Sequence, residues 1–159
     1  LHAGSKDNRA LEARPDVLTY TTGDLQSDLE VIGTARAVLY VSSSLEYTDF
    51  FARLCDVLPG GASLNVCDAM LRIHPGVGQP MPDGSLRIEI ELFPTAYCFQ
   101  SGHQLRLQIS SGAHPRWSRN LGTAGSDPAG TEMKIAHQRV YHDPTHNSAL
   151  ILPVSQGNL

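Results

Sequence analysis

Several residue classes and sequence features are scarce in this chain of 159 residues. No apolar run approaches the roughly 20 residues of a membrane-spanning helix, and no signal-peptide core follows the N-terminus, so we expect no membrane partner. Lysine and arginine are scattered and the net charge is -4, which argues against a nucleic-acid partner. The cysteines are Cys55, Cys67 and Cys98, with no Cys-x-x-Cys pair. This pattern predicts reduced thiols in a cytoplasmic protein.

Motifs for catalysis and metal binding are also absent from the sequence. The chain contains no Gly-x-Ser-x-Gly motif, which holds the nucleophile of α/β-hydrolases, so we interpret Ser42-Ser43-Ser44 as the end of a strand. His142 and His146 have the spacing of a metal pair, but Pro144 between them excludes a regular helix. Because no third ligand is nearby, we interpret this segment as a polar turn and expect neither a metal nor a cofactor.

What the sequence has in abundance is apolar alternation with a period of two, the pattern of strands with one buried face. Leu86, Ile88 and Ile90, for example, alternate with charged residues. Turns rich in glycine and proline separate such segments. The predicted strands cover residues 17–22, 29–32, 37–42, 50–58, 64–73, 85–93, 105–109, 134–141 and 149–154. This pattern predicts an all-β fold, either a β-sandwich or a jelly roll, and residues 47–54 alone also suit a helical turn.

The strands at residues 50–58 and 64–73 are joined by Pro59-Gly60-Gly61 and predict a hairpin. If Leu58 pairs with Leu64, Cys55 faces Cys67, and whether these thiols can pair stays open. Carboxylates inside strands need partners, so three aspartates are interpreted as structural. They are Asp49, Asp56 and Asp68, and their expected partners are Arg53, Arg72 and Arg116.

Aromatic residues make up 6% of the chain, and Trp117 is its single tryptophan. Sugar-binding modules need exposed aromatic platforms, so the composition weighs against a carbohydrate site. Trp117 lies between Arg116 and Arg119, which fits an interface anchor or a packed lid. A free-standing carbohydrate- or peptide-binding module and a purely structural oligomerisation domain remain alternatives.

Short segments in a fixed order, from Asn8 to Val154, resemble a known family. It is the C-terminal, non-catalytic domain of the X-Pro dipeptidyl-peptidase and cocaine-esterase (CocE/NonD) hydrolases. The segments include Asp16-Val17-Leu18-Thr19-Tyr20-Thr21-Thr22, Ser42-Ser43-Ser44 with Thr48-Asp49-Phe50, Leu54-Cys55-Asp56-Val57, Gly102-His103-Gln104-Leu105-Arg106-Leu107, Pro115-Arg116-Trp117-Ser118-Arg119-Asn120 and His142-Asp143-Pro144.

The resemblance implies a jelly-roll sandwich like galactose-binding domains, packed against an α/β-hydrolase domain of the same chain. In this family the Ser-His-Asp triad lies in that upstream domain, so no catalytic residue is transferred to this sequence. We therefore expect an inactive C-terminal fragment of a larger serine hydrolase. The start Leu1-His2-Ala3-Gly4-Ser5, without methionine, fits a fragment. Residues 1–15 are expected to form a linker or N-terminal extension, and residues 16–159 the sandwich.

The resemblance also implies that the domain helps to shape the substrate cleft and the contacts of a homodimer. The candidates for the cleft are Tyr47, Phe50 and Phe51. The candidates for the domain interface are His114, Arg116, Trp117 and Asn120. Relatives often continue the triple serine with an aspartate-rich turn, whereas this chain has Leu45-Glu46-Tyr47. No preference for an X-Pro peptide, an ester or a β-lactam acyl group is therefore carried over.

Overall fold

A computed structural model describes residues 4–124 and 130–155. The elements are α1 (Arg9–Glu12), β1 (Leu18–Thr21), β2 (Leu29–Gly33), β3 (Arg36–Ser43), β4 (Thr48–Val57), β5 (Ser63–Ile73), β6 (Gln79–Pro80), β7 (Leu86–Glu91), β8 (Thr95–Phe99), β9 (Gln104–Ser110), β10 (Gln138–Tyr141) and β11 (Ala149–Ile151). The nine predicted strands are confirmed, although their ends differ by up to several residues. β6, β8 and the short helix α1 were not predicted. The helical turn considered for residues 47–54 is wrong, because β4 occupies this segment.

The strands form two facing antiparallel sheets and one additional pair. The first sheet has the order β1-β9-β4-β5, and the second has the order β10-β3-β7-β6, with β11 also pairing with β3. β2 and β8 form a separate two-stranded sheet. The predicted all-β sandwich is confirmed, and its jelly-roll connectivity stays a prediction.

The core lies between the sheets and follows from the alternation in the sequence. On β4, Phe50, Ala52 and Leu54 face this core, and each has at most 1% of its surface exposed. Ile88 and Ile90 reach it from β7 of the opposite sheet. Each large apolar side chain buried in this way contributes about 1.5–3 kcal/mol relative to an exposed one. The sequence pattern therefore fixes which face of each strand points inward.

The hairpin of β4 and β5 is confirmed, but its predicted register is wrong for the cysteines. Asp56, rather than Leu58, lies opposite Leu64, so that Cys55 lies opposite Asn65, and a β-bulge between Leu54 and Cys55 places Leu54 opposite Cys67. Both thiols are free. Cys67 belongs to the core, and burial raises its pKa to about 11. Cys55 lies beside Ser63, and burial raises its pKa to about 12.

The single helix within the described ranges is α1, and it is too short to cross a membrane.

Candidate functional site

The outer face of the four-stranded sheet is covered, whereas one face of an antiparallel sheet is commonly left to solvent. Asp49 and Phe51 point away from the core on β4, yet they are only 2% and 1% exposed. Two segments that are distant in sequence contact this face, residues 6–17 before β1 and residues 111–120 after β9. The candidate site lies where both segments meet the sheet.

Polar contacts hold the N-terminal segment against the sheet. The backbone amide of Asn8 donates to the carbonyl of Ser63 at 2.7 Å, and its side-chain oxygen accepts from Arg53 Nη1 at 2.7 Å. Glu12 accepts from Ser63 Oγ and from Arg106 Nη1, both at 2.6 Å. The part of residues 1–15 that the structure describes thus lies along β5, β4 and β9.

The second segment is fastened by the buried carboxylate of Asp49. Arg72 donates to Asp49 from Nε at 3.0 Å and from Nη2 at 2.9 Å, and Asn120 Nδ2 donates at 2.8 Å. Arg72 Nη2 also donates to the carbonyl of Ser118 at 3.2 Å. The expected pairing of Asp49 with an arginine is confirmed. These contacts fix the end of the second segment, residues 111–120, which is called the covering loop below.

Asp68 joins the two covering segments. It accepts from Arg53 Nε at 3.3 Å and Nη2 at 3.2 Å, and it pairs with Arg116 Nη2 at 3.0 Å. Arg53 also contacts Asn8 of the N-terminal segment, and Arg116 belongs to the loop. One buried carboxylate is therefore paired, as a buried charge requires, with a guanidinium of β4 that contacts the N-terminal segment and with a guanidinium of the loop.

The remaining aspartate, Asp56, departs from the expectation that its partner is an arginine. His103 Nδ1 lies 2.9 Å from Asp56 Oδ1, and the Tyr97 hydroxyl donates to Asp56 Oδ2 at 2.8 Å. Burial, followed by the hydrogen bond to Asp56, raises the pKa of Tyr97 to about 12. This cluster fastens β8 and the start of β9 to the end of β4.

In the middle of the covering loop, Arg116 and Trp117 contact each other and neighbouring aromatic rings. The Trp117 ring lies edge-on to Phe51, with centroids 5.5 Å apart. The Arg116 guanidinium lies 4.7 Å from the Trp117 ring and 5.6 Å from the Phe93 ring. An exposed cation–π contact contributes about 0.5–1 kcal/mol. Trp117 thus covers Phe51, and Arg116 is placed between two aromatic rings.

The two covering segments leave an open cavity of about 720 Å³ between them. Its floor includes Phe51, Arg53 and Gln108, and its rim includes Leu11 and Met133, which are 44% and 61% exposed. Its walls hold five basic and three acidic side chains: Lys6, Arg14, Arg53, Arg116 and Arg119, with Asp16, Asp49 and Asp68. The cavity is thus richer in cations than the chain as a whole, whose net charge is -4.

The cavity brings together most of the residues singled out from the sequence. The four interface candidates, His114, Arg116, Trp117 and Asn120, and the cleft candidate Phe51 all line it. The other two cleft candidates lie elsewhere. Phe50 is in the core between the sheets, and the half-buried Tyr47 lies in the connection between β3 and β4.

Sequence reasoning missed the roles of Asn8, Glu12 and Gln108. Asn8 immediately precedes α1, where asparagine is a recognised start signal, but its side chain makes no capping hydrogen bond and contacts Ser63 and Arg53 instead. Gln108 is 3% exposed, and its side-chain oxygen has no hydrogen-bond partner among the described residues. No sequence pattern marks Gln108, because its burial depends on segments that are far away along the chain.

The segment that contains both His142 and His146 forms a turn between β10 and β11, as interpreted from the sequence. His146 Nδ1 lies 2.9 Å from Asp143 Oδ2, and His146 Nε2 lies 2.8 Å from Asp83 Oδ2. The hydrogen bond to Asp143 is the main reason why the pKa of His146 is raised. Within residues 4–124 and 130–155, no group of three or more His, Cys, Asp or Glu side chains could hold a metal ion.

The sequence model of one protein family, described as the X-Pro dipeptidyl-peptidase C-terminal non-catalytic domain, matches residues 2–151. The chain belongs to this family. The family domain is non-catalytic and is part of hydrolases, which agrees with the absence of a Gly-x-Ser-x-Gly motif from the sequence.

Two curated relatives are esterases by name. The chain is 35% identical to the cocaine esterase of Rhodococcus sp. (strain MB1 Bresler) over 158 residues, which cover 95% of this chain and 28% of that protein. It is 29% identical to a putative serine esterase of Mycobacterium bovis over 177 residues, which cover 98% of this chain and 26% of that protein. This member of the family thus spans little more than a quarter of the length of these relatives.

Solved structures show the same fold within larger chains. An alpha-amino acid ester hydrolase superposes with a TM-score of 0.81 at 30% identity, over 94% of this chain and 27% of that one. An aminopeptidase from a marine sediment archaeon, Thaumarchaeota archaeon, also gives a TM-score of 0.81, at 27% identity over 93% of this chain and 27% of that one.

Proposed function

We propose that this chain is the accessory domain of a serine hydrolase whose α/β-hydrolase domain, elsewhere in the same protein, carries a Ser-His-Asp triad. The domain docks against that catalytic domain, shapes one side of the substrate cleft and takes part in homodimer contacts. The observation that carries the docking proposal is the cavity, which has a cation-rich wall and an exposed apolar rim. Free buried thiols at Cys55 and Cys67 support a reducing, cytoplasmic location.

The cavity face has the composition of an interface that lacks its partner. Interfaces combine apolar and aromatic contacts with arginine, and Phe93, Leu11 and Met133 are 53%, 44% and 61% exposed at or near the cavity rim. The side chain of Arg116 is 51% exposed even though its partner Asp68 is only 5% exposed. A docking domain would bury this apolar surface and use the free guanidinium donors.

The surplus of positive charge predicts an acidic partner surface. Lys6 and Arg119 are exposed at the cavity and form no ion pair with a carboxylate of residues 4–124 or 130–155. Opposite charges across an interface mainly accelerate association and set its specificity. We therefore expect the catalytic domain to present aspartate or glutamate side chains to this face.

Charge reversal tests the docking face. When the catalytic domain is titrated with this domain as a separate chain, Arg119→Glu should slow association several-fold, with a larger effect at low salt. The matched control is Arg139→Glu on β10, an exposed arginine that does not line the cavity. Equal association rates for both variants would contradict docking through this face.

The contribution to the cleft is assigned to Tyr47, because Phe51 is covered by Trp117. Tyr47 is half-buried in the connection between β3 and β4, so Tyr47→Ala is expected to fold normally. In the full-length enzyme this variant should lower kcat/KM, whereas an exposed alanine substitution on β10, Arg139→Ala, should not. Phe51→Ala is less informative, because Phe51 is 1% exposed and its loss destabilises the domain. Unchanged kcat/KM for Tyr47→Ala would exclude it from the cleft.

The chain by itself should be inactive. The purified domain is expected to release no p-nitrophenol from p-nitrophenyl esters and no aniline from X-Pro anilides, because the nucleophile of this reaction class needs an adjacent base and an oxyanion hole. The full-length enzyme is the positive control. Reproducible turnover by the isolated domain that a serine-directed inhibitor abolishes would contradict the proposal.

A further inference from the structure

A second cavity opens into the sandwich on a different side from the covered face. It encloses about 310 Å³ between β1 and β9 of one sheet and β3, β10 and β11 of the other. Leu39, Leu105 and Leu107 line its inner end and are 1%, 4% and 7% exposed. Val140 and Leu150 complete an apolar wall. This cavity is named the intersheet crevice below.

Two rings stand at the mouth of the crevice, one from each sheet. Tyr20 of β1 and His142, which follows β10, make an edge-on contact with centroids 5.5 Å apart. Neither the Tyr20 hydroxyl nor the His142 ring has a hydrogen-bond partner within residues 4–124 and 130–155. Burial raises the pKa of Tyr20, so its hydroxyl remains a donor at neutral pH. The other polar side chains that line the crevice, Thr21, Thr22 and Ser148, already have hydrogen-bond partners.

We propose that the intersheet crevice is a binding site for a small neutral ligand with an aromatic or branched aliphatic body and one terminal hydroxyl group. The body lies against the three leucines, and the hydroxyl meets Tyr20 and His142, where it can both accept and donate. Ligand sites commonly combine an apolar interior with a few convergent polar groups, and their volumes start near 300 Å³. The crevice is therefore the size of a fragment and leaves no room for a peptide or a sugar chain.

The charge around the crevice supports a neutral ligand. Among the residues that the structure describes, those lining the crevice include no lysine, arginine, aspartate or glutamate. An ionised ligand would lose its hydration without gaining a counter-charge, which is costly in an apolar environment. This site is separate from the cavity proposed for domain docking, so its occupancy does not depend on that function.

Benzyl alcohol is a suitable probe, and toluene is its counterpart without the hydroxyl. The assay is an NMR titration that follows the leucine methyl signals of this chain. Benzyl alcohol should shift the signals of Leu39, Leu105 and Leu107, while the signals of Leu54 and Leu92 in the rest of the core stay unchanged. For a ligand of this size we expect a Kd on the order of 1 mM. Toluene should produce shifts at the same methyl groups with weaker binding.

Two variants separate the parts of the site. Tyr20→Phe should weaken benzyl alcohol roughly two- to tenfold, the effect of one hydrogen bond, and should leave toluene unchanged. Ala149→Phe places a ring at the mouth and should abolish binding of both probes. Its control is Ala96→Phe, an exposed alanine on β8 outside the crevice. Circular dichroism first establishes that each variant is folded.

Several results would overturn the proposal. One is that only the methyl signals of other leucines shift. Another is that no signal shifts at any concentration up to the solubility limit of the probe. A third is that the folded Ala149→Phe variant binds the probes as well as the unchanged chain does. Shifts of the crevice leucines that depend on protein concentration without a probe would also overturn it, because a second copy of the chain would then occupy the site.

Discussion

Replacing Asp49 by alanine is the sharpest test of how the covering loop is held. Asp49 is 2% exposed and accepts two hydrogen bonds from Arg72 and one from Asn120. Removing one partner of a buried ion pair typically costs about 3–5 kcal/mol. The Arg72 side chain is 49% exposed and regains water after the change, which lowers the cost. We therefore expect the free energy of unfolding to fall by about 2–4 kcal/mol.

Urea unfolding followed by far-UV circular dichroism measures this change in free energy. In thermal unfolding, the expected fall in Tm is roughly 5–15 °C for a domain of this size. The matched control is Glu89→Ala, because Glu89 forms an equally short pair of 2.8 Å with Arg36 whose side chains are 30% and 43% exposed. Exposed pairs contribute about 0–1 kcal/mol. If both variants lost the same stability, the burial of Asp49 would not be what makes its contacts strong, and the reasoning would be refuted.

Two further predictions concern titration and thiol reactivity. Asp143 and, to a smaller extent, Asp83 raise the pKa of His146, so this contribution to stability is complete below the unfolded value of about 6.5 and is lost as the pH rises through the higher folded value. Between pH 6 and 8, His146→Gln should flatten the decline of unfolding free energy with pH, and an unchanged slope would contradict the assignment. Ellman's reagent at pH 8 should modify only Cys98 in the native chain, because Cys55 and Cys67 are buried and their pKa values are raised to about 12 and about 11. Rapid reaction of more than one thiol before urea is added would contradict the packing of the hairpin.

The inward face of the sandwich could be predicted from the sequence because the alternation is local. Leu86, Ile88 and Ile90 alternate with charged residues that point away from the core, so one strand contains all the information needed. β4 was harder to interpret. Phe50 and Phe51 are adjacent and both buried, which breaks the alternation and made a helical turn conceivable. The burial of Phe51 depends on Trp117, which is far from it along the chain.

The candidate site was partly predictable for a similar reason. The aspartates inside strands required partners, and this requirement correctly led to the pairing of Asp49 and of Asp68 with arginines. The partners of Asp56 were not foreseen, because β8, which carries Tyr97, was not predicted as a strand. The register of Cys55 was wrong because Asp56, rather than Leu58, lies opposite Leu64, which already moves the partner of Cys55 to Asn65. The bulge between Leu54 and Cys55 adds one further shift on the side away from the turn.

The position of Asp68 constrains how this surface can change during evolution. A substitution there would release Arg53 and Arg116 together, and with them the contacts to both Asn8 and the loop. Such a change is tolerated only if the two guanidinium groups are replaced at nearly the same time. The pair of Arg36 and Glu89 is more exposed than Asp68 and joins only two strands, so it can change one residue at a time. We therefore expect homologous domains to vary at Asp68 in coordinated sets and at Glu89 independently.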